Sequence, residues 1–247
     1  MKKKAFITFF IFFLFSNAYA IDDIKFSLGM TQSTFRDFSK ELGVALAYKP
    51  GAPAEPLGIT GFDVGLEVSA VSISERAWKN ALEDKDVPSY LFIPKIKAKK
   101  GLPFDIDIGA FYSQLPNTNV KLYGGEIKYS ILEGTATTPA LAIRGSYTQL
   151  SGVSELDFKT YGLDASISKG ILMITPYGGI GVNRFESSPK GYASAPFPTG
   201  LGLKDEKKTY YKAFIGARIT LVLISINGEV EFNEIKPVYT LKGAITF

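Results

Sequence analysis

The chain closes on Val238-Tyr239-Thr240-Leu241-Lys242-Gly243-Ala244-Ile245-Thr246-Phe247, a run that alternates between two kinds of residue along its length. Tyr239, Leu241, Gly243, Ile245 and Phe247 are apolar or small at every second position. Val238, Thr240, Lys242, Ala244 and Thr246, between them, are mostly polar or small. Successive side chains point to opposite faces of a pleated strand, so this spacing gives one greasy face and one wet face.

The pattern recurs upstream. Working backwards from a strand at 237–247, further strands are predicted at 225–234, 208–222, 172–186, 155–168, 139–149, 118–131, 103–113, 90–99 and 60–72. In 60–72, Phe62, Val64, Leu66, Val68 and Ala70 oppose Asp63, Gly65, Glu67 and Ser69. In 103–113, Phe104, Ile106, Ile108, Ala110 and Tyr112 oppose Asp105, Asp107 and Gly109. In 208–222, Tyr211, Ala213, Ile215, Ala217, Ile219 and Leu221 oppose Lys212, Arg218 and Thr220. Apolar alternation with charge on the second face is the dyad pattern of a membrane barrel wall, whose strands come in even numbers. Gly124-Gly125 is expected to mark a bulge, and Pro94 and Pro176 each need a site that tolerates a missing ladder donor.

A strand of this pattern ending on an aromatic looks like the closing strand of a Gram-negative outer-membrane β-barrel. That resemblance makes Tyr239 and Phe247 the membrane assembly signal, read by the barrel-assembly machinery through the C-terminal strand. The expected fold class is all-β, a transmembrane antiparallel β-barrel of about ten strands over 60–247, with a short N-terminal helix. Twelve strands is the competing count. With the C-terminus on the periplasmic side, the two longest connections, 73–89 and 187–207, both fall outside.

The N-terminus points to the same compartment. Lys2, Lys3 and Lys4 precede a phenylalanine-rich apolar run from Ala5 to Phe15, and Ala18-Tyr19-Ala20 has the small-x-small form of a cleavage site. Residues 1–20 are therefore expected to be a cleaved signal peptide, and the location to be the outer membrane. Of 28 basic residues, three lysines leave with that segment and no acid does, so 25 stand against 24 acidic residues and the net charge falls from +4 to +1. The basic balance is then no argument for nucleic acid. With no cysteine in the chain, no disulfide framework exists.

Residues 21–59 form a separate N-terminal segment, periplasmic or inserted in the lumen. Thr31 to Leu42 read as a short helix with Phe35, Phe38 and Leu42 as its apolar stripe and Gly43 as its stop signal. A periplasmic position is preferred for it, and a weak strand is expected at Val44 to Tyr48.

Pro53-Ala54-Glu55-Pro56-Leu57-Gly58-Ile59-Thr60-Gly61-Phe62-Asp63, Lys100-Gly101-Leu102-Pro103-Phe104, Ser166-Ile167-Ser168-Lys169-Gly170 and Thr175-Pro176-Tyr177 resemble a family of uncharacterised exported Gram-negative β-barrel proteins. The resemblance spans most of the mature chain. It implies an outer-membrane barrel and brings no activity with it.

The sequence holds no histidine, so the Asp-His, Ser-His and related constellations of barrel enzymes each lack a member. Cysteine nucleophiles and Cys/His metal sites are excluded as well. No enzyme, cofactor or metal is expected. The lumen-lining candidates are Asp63, Glu67, Lys95, Lys97, Asp105, Asp107, Glu126, Lys128, Arg144, Asp164, Lys212, Arg218, Glu229, Glu231 and Lys242. Rings of such charge build a selective constriction in one reading, and in the other they are ion pairs filling a narrow barrel. Asp105 and Asp107 together are a weak cation-binding pair.

In loop 73–89, Ser74 to Glu83 read as a helix capped by Ser74, with Trp78 and Leu82 on one face. Trp78, and Tyr192 and Phe197 of loop 187–207, are the loop ligand candidates. Outer-membrane lipid and lipopolysaccharide are the expected partners. The leading function is a non-enzymatic narrow channel, or a binding protein for a small solute or lipophile. The alternative is a structural or adhesin-like surface barrel with a plugged lumen.

Overall fold

Ten strands, each hydrogen-bonded to its sequence neighbours, close on themselves when the last pairs with the first. The computed structural model describes residues 25–82, 87–115 and 118–247, so the signal-peptide segment 1–20 lies outside the described residues. The strands are β1 (Phe62–Ser72), β2 (Tyr90–Leu102), β3 (Ile106–Gln114), β4 (Lys121–Leu132), β5 (Ala140–Ser151), β6 (Leu156–Ser168), β7 (Ile174–Pro189), β8 (Glu206–Leu221), β9 (Ile224–Asn233) and β10 (Val238–Thr246). All pairings are antiparallel, and β1 meets β10 from Asp63↔Thr246 to Val71↔Val238. Phe247 completes the seam by exchanging backbone hydrogen bonds with Phe62 at 3.0 and 2.6 Å. The ten-strand count holds, and the twelve-strand alternative does not.

One end carries the short hairpins 103–105, 133–139, 169–173 and 222–223, together with the C-terminus. The other carries the longer connections 73–89 and 190–205. We call these the hairpin end and the loop end. The wall alternates as read: Val64, Leu66, Ile96, Ile127, Leu163, Ile180, Ile215 and Leu241 are exposed on the outside. Glu67, Lys97, Asp107, Arg144, Lys242 and their neighbours are buried within. Charge inside and greasy surface outside reverse the order of a water-soluble protein and match a wall facing lipid. No helix among the described residues is long and apolar enough to cross a membrane.

Several local expectations are corrected. The register is continuous through Gly124 and Gly125, and the irregularity in the β4–β5 ladder falls at Ser130/Leu132. Gly124 is needed for space instead: a Cβ there would lie 2.4 Å from the Tyr147 carbonyl oxygen and 2.6 Å from the Phe111 ring. β3 starts at Ile106 because Phe104 and Asp105 form the hairpin turn, both at positive φ. Asp105 is therefore a turn residue and does not face the lumen.

The N-terminal segment differs most from its expectation. Helix α1 (Gln32–Leu46) is capped by the Thr31 hydroxyl, which accepts from the Thr34 N–H at 3.3 Å. It runs straight through Gly43, so Val44 to Leu46 are helical and the weak strand does not form. It also sits at the loop end, opposite the side preferred from the sequence. Gln32 bonds the Lys204 carbonyl at 3.1 Å, Arg36 pairs with Glu206 at 3.2 Å, and the Phe26 N–H bonds Glu155 at 2.9 Å. Its apolar stripe explains the position. Phe35, Phe38, Leu42 and Leu46 join Leu91, Ile93, Leu122, Phe158 and Phe185 of the inner wall in one core. From Ala47 the chain descends inside the barrel and reaches the hairpin end in time to begin β1.

Candidate functional site

The lumen is filled by residues 49–57 and by the wall charges that bind them. Lys49, Pro50, Gly51, Pro53, Ala54 and Glu55 offer carbonyls to side chains, as a proline-rich segment without secondary structure must when it is buried. The Lys97 ammonium donates to the Lys49 carbonyl at 2.5 Å and the Pro50 carbonyl at 3.3 Å, and Lys99 donates to Pro50 at 3.1 Å. Lys128 reaches the Pro53 and Glu55 carbonyls at 3.3 and 2.6 Å, and Ser130 reaches Ala54 at 2.8 Å. The segment donates in return. Gly51 N–H bonds Glu229 at 2.9 Å, Ala54 N–H bonds Ser168 at 3.0 Å, and Leu57 N–H bonds Asp107 at 3.1 Å. Gly51 adopts φ +53, and a Cβ there would meet the Glu67 carboxylate at 2.9 Å, so glycine fits both backbone and space.

The remaining charge is paired within the wall. Glu67 binds Lys95 at 3.2 Å and Lys97 at 3.1 Å. Glu126 lies between Lys99 at 2.6 Å and Arg144 at 3.0 Å. Asp164 lies between Arg144 at 3.6 Å and Lys212 at 3.4 Å. Lys128 pairs with Asp107 at 2.8 Å, and Lys49 with Glu231 at 3.1 Å. Asp63 takes Lys242 and, at 4.0 Å, Arg218. Fourteen of the fifteen lumen candidates thus lie on the inner face, the exception being Asp105. Asp105 and Asp107 do not converge on a cation, since Asp107 is engaged by Lys128 and Leu57. Sequence reasoning missed Lys99, whose signal was present: it continues the every-second-residue series Lys95, Lys97. It also missed Lys49 and the backbone of 50–57, because carbonyl groups leave no trace in a residue pattern.

Nearer the loop end the contents change from polar to apolar. Leu42 and Leu46 of α1, Trp78 and Leu82, and Leu91, Ile93, Ser113, Leu115, Val120, Leu122 and Leu150 surround a cavity of about 40 Å³. Apart from the Ser113 hydroxyl the lining side chains are hydrocarbon or indole. Helix α2 (Glu75–Ala81) supplies Trp78, which packs on Phe38 with ring centroids 4.8 Å apart. The indole N–H donates to Glu41 at 2.9 Å, as do Ser74 N–H at 2.8 Å and the Ser74 hydroxyl at 2.5 Å. Ser74 therefore ties α2 to α1 and makes no side-chain cap. At the rim, the Ser89 hydroxyl and the Lys79 ammonium hold the exposed Glu75 carboxyl below its ordinary value. The loop candidates do not gather: Trp78 is buried, whereas Tyr192 and Phe197 are 41% and 87% exposed. Tyr239 faces outward and is exposed, and Phe247 packs on Phe62 at 3.9 Å between centroids.

A family model described as "Family of unknown function (DUF6588)" matches residues 80–240, well over half of the chain. The chain belongs to this family. DUF6588 in this chain thus covers the wall from the last residues of α2 to the start of β10, while α1, the plug, β1 and most of α2 precede the matched region. No curated protein matches. Among solved structures, the chain is similar to Ail, the attachment invasion locus protein of Yersinia pestis, at 13% identity and a TM-score of 0.33, covering 76% of this chain and 97% of that one. It is similar to the N-terminal β-barrel domain of Pseudomonas aeruginosa OprF at 13% identity and 0.35, covering 74% and 97%. For Neisserial surface protein A the figures are 10%, 0.30, 75% and 95%. With scores this low, the barrel assignment for this DUF6588 member rests on its own closed register.

Proposed function

We propose that this protein is an outer-membrane barrel with a sealed lumen that holds the hydrocarbon tip of a lipophile in its loop-end chamber. The carrying observation is the threading of 49–57 along the lumen, with wall lysines on its carbonyls and wall carboxylates on its N–H groups. An open passage would need those charges free to face ions in transit. Here they are committed to the plug or to one another. The apolar outer face supports a lipid surround, and the terminal strand with Phe247 supports export and assembly as a barrel. The lack of histidine and cysteine favours binding over catalysis.

The chamber leaves room for about three water-sized spheres, each needing ~10–15 Å³. That volume takes the end of one alkyl chain and no larger solute. Trp78, the sole tryptophan of the chain, lines it and reports on it directly. The refolded protein in a planar bilayer is expected to pass no steady ion current. In detergent micelles, a fatty acid brominated near its methyl end is expected to quench Trp78 emission saturably. A stable conductance would refute the sealed lumen, and unquenched Trp78 would refute the lipophile site.

A further inference from the structure

We propose that the chamber opens sideways into the membrane: the alkyl tip of a bilayer lipid enters between β2 and β3 while its headgroup stays in the leaflet. This rests on the outer-membrane and lipophile reading above and adds the source of the ligand and its path.

The wall has a defect at the required place. The β2–β3 register runs from Leu102↔Ile106 to Ile96↔Tyr112 and stops, although β2 continues to Tyr90 and β3 to Gln114. On their other sides both strands stay paired, β2 with β1 up to Ser72↔Tyr90 and β3 with β4 up to Gln114↔Lys121. The ladder is thus open on this seam over Ser113 and Gln114 of β3, and the β5–β6 ladder also stops short, at Gln149↔Lys159, so what sets the β2–β3 seam apart is the proline and the recess beside it. Pro94 lies in the unpaired stretch of β2, two residues beyond the last pair and on the outward face with Ile96, and a proline brings no N–H to the ladder. In lipid, where no water can satisfy freed backbone groups, an unzipped seam is costly and calls for a reason.

A recess of about 210 Å³ occupies this seam, bounded by Leu66, Val68, Pro94, Ile96, Tyr112 and Gln114, with Ser113 and the Lys95–Glu67 ion pair at its inner side. The outward side chains round it are mostly hydrocarbon, and Ile96 is 59% exposed. Gln114, the polar exception, accepts from the Tyr112 hydroxyl at 2.9 Å and so presents a bonded amide oxygen. The Lys95 ammonium is held by Glu67 and Ser69 of β1, both at 3.2 Å. Ser113 borders both spaces, since it lines the recess and the apolar chamber alike. A hydroxymethyl is the smallest polar side chain, and Ser113 is the residue that the recess and the hydrocarbon-lined interior share. The occupant follows from the surroundings. In a barrel seated in a bilayer, the molecules at the mouth of this recess are lipid chains, and what lies behind it is sized for a chain end.

The test uses the full-length mature protein reconstituted in vesicles of phosphatidylcholine brominated at the chain ends. Such lipid cannot leave the leaflet, and its bromines meet Trp78 only through the wall. Heat-modifiable mobility on a detergent gel verifies the fold of each variant. Wild-type Trp78 is expected to be quenched; Ser113→Phe, which fills the gap, and Pro94→Val, which restores a ladder donor, are expected to lose most of that quenching. Equal quenching in folded variants and wild type would overturn the lateral path. So would a wild-type Trp78 that is quenched by the brominated fatty acid in micelles and untouched in the vesicles. If neither reagent quenches it, the chamber reading itself fails, and this inference with it.

Discussion

Gly43 shows how a single residue can point the wrong way in sequence and the right way in space. Glycine after an apolar helical stripe signals a helix end, since it costs about 1 kcal/mol more than alanine inside a helix. The helix nonetheless continues to Leu46, because the Phe185 ring lies against the glycine. A Cβ at position 43 would sit 2.4 Å from Phe185 Cδ1, and Phe185 is itself stacked on Phe158 at 5.6 Å. Helix propensity alone predicts that Gly43→Ala stabilises the protein. Packing predicts the reverse, because forcing a methyl into a filled core costs roughly 1–3 kcal/mol. We expect a lower urea midpoint for Gly43→Ala in detergent micelles; a raised midpoint would show that the ring yields freely. The contact joins residues far apart in the chain, so no local pattern could have revealed it. The inward charges were the opposite case. Asp63, Glu67, Asp107 and Lys242 were legible because a strand reports its own two faces, and the only lumen candidate misplaced, Asp105, stood where a turn began and the alternation ended.

Among the elements, the strands and the N-terminal helix were legible, and the end of the barrel that the helix occupies was not. A lipid-facing wall must alternate, so β1 to β10 carry their own positions in sequence. α1 carries only an apolar stripe, which states that one face is buried without stating at which end of the barrel. Its partner is α2, and the link between them is the Glu41 carboxylate, which accepts three hydrogen bonds from Ser74 and Trp78. Hydrogen bonds to a charged group contribute about 1.5–3 kcal/mol each, and donors left buried without a partner add their own penalty. Glu41→Ala is therefore expected to release α2 locally while the wall keeps its ladders. Amide exchange across 74–82 should accelerate strongly, with protection in β1 and β10 unchanged. Unaltered exchange in 74–82 would mean that α2 is held by apolar packing alone.

At the scale of the whole molecule, the question is whether the plug is a part of the barrel or a guest in it. A guest would be held by exposed or water-bridged contacts and would come out before the wall unfolds. The plug here is joined to five of the ten strands through buried groups: Lys97 and Lys99 of β2, Asp107 of β3, Lys128 and Ser130 of β4, Ser168 of β6, Asn227 and Glu229 of β9. Withdrawing it would take from Glu229 its Gly51 donor and from Glu231 its Lys49 cation, and would leave the other wall groups short of hydrogen bonds; a buried charge without its partner is far more costly than the pair was stabilising. The wall therefore needs the plug as much as the plug needs the wall, which makes plug and barrel one cooperative unit. Trp78 reports on the N-terminal segment through its packing on Phe38 and its bond to Glu41 of α1, while far-ultraviolet circular dichroism reports mainly the strands, so the two signals separate the possibilities. Urea unfolding in micelles is expected to give coincident transitions by both, the mark of two-state behaviour. A Trp78 transition completed at lower urea than the loss of strand signal would identify 25–61 as a detachable lid, and the barrel would then be able to stand, and to conduct, without it.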